Sequence, residues 1–179
     1  MNARTVLDAS DIDRAVVRIS HEIVEGNKGT QNLLILGIPT RGVHLADRIA
    51  KSIKRNYPDF DMSTSFGVLD VTMYRDDLAA KPNRPVTASS LPVTNLEDLT
   101  VILVDDVLFS GRTIRAALDA LVAFGRPKIV RLAVLIDRGH RELPIRADYV
   151  GKNLPTSLSE RIYVKLTESD NDQSVVIEQ

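Results

Sequence analysis

A chain of 179 residues, 44% hydrophobic and 26% charged, has the composition of one globular domain with a packed core, not of a disordered or fibrous protein. Its net charge of −1 excludes polyanion binding through overall charge and leaves only a local basic patch for that task. With no cysteine and three histidines it lacks disulfides, thiolate chemistry and the makings of a His-built metal cage; no apolar run reaches the roughly 20 residues of a membrane span, and Met1-Asn2-Ala3-Arg4 opens no signal sequence, so a cytoplasmic location is expected.

Asp8 or Ser10 suits the N-cap of an amphipathic first helix, in which Ile12, Ala15, Val16, Ile19 and Ile23 recur at helical spacing until Gly26-Asn27. Residues 33–38 are a continuous apolar run of strand length, and a helical pattern over 43–56 ends ahead of Pro58. A weaker strand over about 65–74 leads into 75–93, where Pro82, Pro85 and Pro92 among small polar residues predict a long mobile loop. Residues 99–104 form the most apolar strand, 113–124 a helix closed by Gly125, and 129–136 another buried strand. This alternation predicts a parallel α/β sheet flanked by helices. Past Asp137 the pattern shortens, with strands expected at 149–150 and 161–166, and the acidic tail from Glu168 is expected to be solvated. No repeat or Gly/Ser-rich linker divides the chain, so one domain over 1–179 is expected.

The most informative stretch is Val101-Ile102-Leu103-Val104-Asp105-Asp106-Val107-Leu108-Phe109-Ser110-Gly111-Arg112-Thr113, where a buried strand turns into a helix. In open parallel sheets ligands bind beyond the carboxyl ends of strands, and a small-residue turn into a helix N-terminus offers backbone N–H groups to a phosphate. Ser110, Gly111 and Thr113 suit that cradle, and the adjacent carboxylates can accept hydrogen bonds from vicinal sugar hydroxyls with Mg²⁺ nearby. A receiver domain and a Walker B strand each fit part of this pattern. The first places its acidic pair near the domain start, and the second needs a Gly-x-x-x-x-Gly-Lys-Ser/Thr motif that does not occur.

The whole segment resembles the signature with which type I phosphoribosyltransferases bind phosphoribosyl pyrophosphate (PRPP). The resemblance implies that Asp105 and Asp106 act at the ribose and its metal, with no metal site built by protein alone. It implies that Val107, Leu108, Phe109, Ser110, Gly111, Arg112 and Thr113 hold the 5′-phosphate. It makes Leu36-Gly37-Ile38-Pro39-Thr40-Arg41-Gly42 the pyrophosphate loop, with Thr40 and Arg41 on the leaving group; Arg fits because its planar fork takes two phosphate oxygens at once. The loop that opens with Val71-Thr72-Met73-Tyr74-Arg75-Asp76-Asp77-Leu78 becomes a lid over 72–93, with Arg75 as a catalytic contact delivered by closure and Arg84 as a weaker one.

Residues 132–153, together with Arg18-Ile19-Ser20-His21-Glu22, resemble the bifunctional pyrimidine operon attenuation protein/uracil phosphoribosyltransferase family. That implies uracil and PRPP going to UMP and pyrophosphate, a hood built from about 1–25 and 137–179, and a base pocket lined by Arg138 and Ile162. It also implies symmetric self-association and UMP-dependent binding of a pyrimidine-operon leader RNA. A purine phosphoribosyltransferase, or an RNA-binding regulator with vestigial activity, remain alternatives. Phe109 stands where purine enzymes often carry an Asp that serves as base, so the motif supplies no general base. Arg14, Arg18 and His21 share one face of the first helix, and His140, Arg141, Arg146 and Lys152 form a second basic cluster. Arg18, His21, His140, Arg141, Arg146 and Lys152 are therefore the candidate RNA contacts. Val17 takes a place where some RNA-binding members have a hydroxyl residue.

Overall fold

The computed structural model describes residues 3–76 and 88–179. In chain order these form β1 (Ala3–Leu7), α1 (Ala9–Asn27), β2 (Leu33–Gly37), α2 (Arg41–Asn56), α3 (Met62–Ser65), β3 (Phe66–Val68) and a 3-10 turn (Thr72–Tyr74). There follow β4 (Thr100–Leu108), α4 (Arg112–Val122), β5 (Ile129–Asp137), β6 (Tyr149–Asn153), β7 (Arg161–Lys165), α5 (Thr167–Asp170) and β8 (Ser174–Glu178).

The main sheet is parallel throughout, in the order β3-β2-β4-β5-β6. Its central strands are apolar without alternation because both faces are covered. Ile35, Ile102, Val104, Ala133 and Leu135 pack with α1 and α2, while Leu34, Leu36, Val101, Leu103, Leu132 and Val134 pack with α4. The first helix is fixed at its start by a reciprocal cap, in which Asp8 accepts from the Asp11 N–H and Asp11 from the Asp8 N–H. At its end Lys28 adopts a left-handed conformation, and its N–H turns back to the carbonyls of Glu25 and Val24.

The second sheet is antiparallel, in the order β1-β8-β7, and meets the main sheet where β7 touches β4. It is narrower than the hood spans expected from sequence. α1 and β6 fall within those spans yet belong to the main layer, α1 packing on α2 and β6, and β6 closing the sheet edge against β5. The tail is solvated only in its first part: Glu168, Ser169, Asn171 and Asp172 are exposed, whereas Ser174, Val175, Val176 and Ile177 are buried, because β8 is the middle strand between two partners. The expected strand over 65–74 resolves into short β3 and the 3-10 turn, and β4 runs on through both acidic residues to Leu108. No helix among the described residues is long and apolar enough to cross a membrane.

Candidate functional site

The site forms where β4 ends. β4 lies between β2 and β5 in the middle of the sheet, so its carboxyl end is flanked on both sides, and the buried run of 101–104 fixes where Asp105 and Asp106 emerge. The Asp105 carboxylate accepts the Asp106 N–H at 3.0 Å, and that of Asp106 accepts the Val107 N–H at 2.9 Å, which sets both side chains against the backbone. Burial pushes the Asp106 carboxyl up, opposed by the Val107 N–H and the charge of Arg41.

Beyond Leu108 the chain turns through Gly111, whose φ of +92° only glycine adopts without strain, and enters α4 with no side-chain N-cap hydrogen bond. The Ser110 hydroxyl accepts the Arg112 N–H at 3.4 Å, and the remaining first-turn N–H groups can meet an anion. Behind this turn lies the 139–146 segment. The Ser110 carbonyl accepts from the N–H groups of Glu142 and Leu143, and the Arg141 guanidinium donates to the carbonyls of Phe109 (2.9 Å), Gly139 (3.0 Å) and Ile145 (2.9 Å) and pairs with Asp137. Burial alone would push the Asp137 carboxyl up, but Arg141 and the Gly139 N–H outweigh it and hold it low.

The loop from β2 into α2 comes alongside. Gly42 is required there by a close approach, since a Cβ on it would sit 2.5 Å from the Val104 carbonyl oxygen and 3.1 Å from Asp105 Cα. The Ile38 N–H donates to the same Val104 carbonyl. Thr40 caps α2 without a side-chain bond and is exposed, and Arg41 is the first residue of the helix. Its guanidinium is paired with both oxygens of Asp170, at the end of α5, and lies near enough to Asp106 to feel its charge; both carboxylates raise its basicity, Asp170 the more. A few residues along α2, Arg48 holds Glu168 through two bonds of 2.8 and 2.7 Å and Thr167 through a third, which drives the Glu168 carboxyl down to about 2.

From the other side, Arg75 follows the 3-10 turn and donates to the Thr113 hydroxyl at 3.0 Å, while Asp76 pairs with Arg112 at 2.7 Å. The return of this segment is tied to β3, where Ser90 bridges Val68. Asp77, Leu78 and Arg84, the remaining sequence-derived lid residues, lie outside the described residues.

Arg138 is buried and directed away from open space. It donates to Thr156 Oγ1 and to the carbonyls of Ser157 and Glu160, and its guanidinium covers the Phe109 ring at 4.3 Å. It therefore ties the 154–160 loop to the turn at Phe109. Ile162 is half-buried in β7 opposite Ile177.

The basic residues named from sequence divide into two groups. Arg18 donates to the carbonyls of Val150 and Gly151, and Lys152 reaches the Val6 carbonyl, so these two share the edge where α1 covers β6. His21 is exposed on α1 and Arg146 is exposed just before β6. Arg141 does not stand on that open face: three of its nitrogens are committed to backbone carbonyls and Asp137. His140 is likewise turned to the Thr156 carbonyl, with its ring edge-on to Phe109. Sequence reasoning missed Asp170, Glu168 and Asp137. Nothing local marks them, because their partners lie elsewhere in the chain or, for Asp137, in a loop read as an RNA surface.

The chain matches the family model described as phosphoribosyl transferase domain over residues 2–165. It is 61% identical to the bifunctional protein PyrR of Leifsonia xyli over all of this chain and 98% of that one, and 55% identical to that of Streptomyces coelicolor over 98% and 89%. Among solved structures it is similar in fold to a hypoxanthine-guanine phosphoribosyltransferase of Bacillus anthracis, with a TM-score of 0.71, 16% identity and 98% of each chain covered. A hypoxanthine phosphoribosyltransferase of Trypanosoma cruzi gives a TM-score of 0.70 at 16% identity, covering 97% of this chain and 95% of that one.

Proposed function

The chain belongs to the phosphoribosyl transferase family and, within it, to the bifunctional PyrR proteins; from that premise we propose that it joins uracil to PRPP, giving UMP and pyrophosphate, and that its UMP-bound form binds the leader RNA of pyrimidine genes. The observation that carries the enzymatic half is the order of groups around the end of β4. The turn Ser110-Gly111-Arg112-Thr113 follows directly on the acid pair, and the start of α2 with Arg41 comes against β4 at Val104 and Asp105, near enough for Arg41 to feel the charge of Asp106. Phosphate cradle, diol acceptors and guanidinium follow the layout of PRPP itself: 5-phosphate, ribose hydroxyls, 1-pyrophosphate.

In this reading Asp105 and Asp106 accept from the ribose hydroxyls, the backbone and side chains of 107–113 hold the 5-phosphate, and Thr40 and Arg41 take the departing pyrophosphate. The bond from C1 of the sugar to pyrophosphate breaks with its electron pair leaving on oxygen, N1 of uracil closes on a carbon with oxocarbenium character, and the N1 proton passes to the departing pyrophosphate or to water. Stabilising separated charge is then the main demand, met by Arg41 at the leaving group and by lid residues such as Arg75 that exclude water. Phe109 can accept no proton, so none of these steps assigns a general base. Asp105 and Asp106 offer the hard oxygen donors that suit Mg²⁺, and burial at the Asp106 carboxyl favours a cation beside it. Bound with PRPP, Mg²⁺ would offset charge on the pyrophosphate. Arg138 and Ile162 are proposed to shape the base pocket, Arg138 by fixing Phe109 and the 154–160 loop.

For the RNA half, the α1–β6 edge with Arg18, His21 and Lys152, together with the exposed Arg146 ahead of β6, is the favoured surface. Such residues hold phosphates and stack on splayed bases, and linkage requires UMP and RNA to strengthen each other's binding. The protein acts in the cytoplasm as a symmetric homo-oligomer. The test is nucleotide formation from PRPP with uracil, hypoxanthine and guanine, beside leader-RNA binding with and without UMP. UMP formation with UMP-enhanced RNA binding is expected. Turnover of purines alone would make it a purine enzyme, and RNA binding without turnover would make it a regulator only.

A further inference from the structure

Arg41 engages Asp170 through one edge of its guanidinium only: Nε donates to Oδ2 at 3.0 Å and Nη2 to Oδ1 at 2.6 Å. A guanidinium carries five N–H groups in a plane, which form a side edge (Nε and Nη2) and an end edge (Nη1 and Nη2). With the side edge occupied, the plane is fixed and the end edge points away from α5. We propose that Asp170 is a positioning residue for the leaving group: it clamps the side edge of Arg41 so that the end edge is presented to pyrophosphate. This rests on the reading of Arg41 as a pyrophosphate ligand.

Three observations support the clamp. The carboxylate is itself held, since Asp170 Oδ2 accepts the Leu166 N–H at 3.0 Å. The turn that carries it is strapped to α2 a second time by the Arg48 bonds to Glu168 and Thr167, so Asp170 is placed without help from a ligand. The same guanidinium also lies within the field of Asp106, and its helix starts against β4, where a Cβ on Gly42 would meet the Val104 carbonyl at 2.5 Å. A guanidinium left free on its flexible stem would have to be ordered again with each PRPP molecule, and the fixed partner removes that cost.

The experiment measures affinity for inorganic pyrophosphate and for UMP in the full chain, by calorimetry, with steady-state kinetics on the same preparations. Asp170→Asn should weaken pyrophosphate about tenfold and raise the KM for PRPP by a similar factor, because the oriented charged contact is loosened. UMP affinity should stay at the wild-type value, since the nucleotide lacks the group that Arg41 holds, and this also shows that the hood is folded. Arg41→Lys is the second variant. A lysine keeps the charge but has no second edge with which to hold carboxylate and pyrophosphate together, so it should lose pyrophosphate affinity by about the same tenfold. Combining Asp170→Asn with Arg41→Gln should cost no more than Arg41→Gln alone. Unchanged pyrophosphate affinity in Asp170→Asn, or equal losses for pyrophosphate and UMP, overturns the positioning role alone. Unchanged pyrophosphate affinity in Arg41→Gln overturns it together with the assignment of Arg41.

Discussion

The Arg75 guanidinium and the Thr113 hydroxyl are 3.0 Å apart, which joins the base of the lid segment to the first turn of α4. Under the proposed function, this bond connects a lid that begins near Arg75 to the turn that would take the 5-phosphate. Replacing Arg75 by Ala should depress turnover more than UMP affinity, because contacts completed on closure act mainly on the transition state. Single-turnover rates and UMP titrations on one preparation check this; equal losses in both would mark Arg75 as a ground-state contact.

Asp105→Asn and Asp106→Asn each replace a charged acceptor with a neutral amide. Hydrogen bonds to charged groups contribute about 1.5 to 3 kcal/mol, so PRPP affinity should fall roughly ten- to a hundredfold in each. Direct PRPP binding is the measurement, and wild-type affinity in both variants would remove the acid pair from the site.

Arg141 and Arg146 should behave oppositely although both lie in the basic cluster. Arg141→Gln removes a guanidinium that ties the Phe109, Gly139 and Ile145 carbonyls to Asp137, so it should lower stability by about 2 kcal/mol and weaken PRPP binding. Arg146→Gln should leave turnover near wild type and weaken leader RNA, flattening the salt dependence of binding by about one unit or slightly less. RNA affinity against salt, beside thermal melts and activity for both variants, separates the two.

The Arg48–Glu168 pair gives the hood an acid limit. The Glu168 carboxyl drops from an ordinary 4.5 to about 2 in the folded protein, so its contribution is present in full above pH 4.5 and is lost as pH falls toward 2. Glu168→Gln should melt below wild type at pH 7, with the gap closing between pH 4.5 and 2. A gap that does not change with pH would show that the pair does not contribute through charge.

Gly42→Ala tests the approach of α2 to β4. The added Cβ would meet the Val104 carbonyl at 2.5 Å, with no flexible side chain to give way, so a cost of about 1 to 3 kcal/mol is expected. Because the backbone must shift to relieve it, Arg41 moves away from the acid pair, and the KM for PRPP should rise as the melting temperature falls.

Much of this architecture is legible in the sequence because it is local. The apolar runs at 33–37 and 101–104 have to be covered on both faces, and the Asp105 to Thr113 segment carries strand end, acids and helix-entry turn in one stretch. The hood was less legible, since β1, β7 and β8 are five residues each and are stabilised by partners remote in sequence. An acidic tail reads as solvated until Arg41 and Arg48 are seen to receive it. Arg141 misled for the same reason: its charge was visible in the sequence, but not the carbonyls it serves.

The pairing of Ala3 with Glu178 across β1 and β8 also sets an order of assembly. The parallel sheet closes through neighbours no more than one crossover apart, apart from the β2–β4 pair that spans the lid segment, whereas β1 has to wait for a strand near the opposite end of the chain. Contacts so distant in sequence form slowly, after loop-closure entropy has been overcome. During synthesis the first of these strands to leave the ribosome is thus among the last to be paired. A chain stalled before Ser174 would hold a finished parallel sheet beside an antiparallel one that lacks its middle strand.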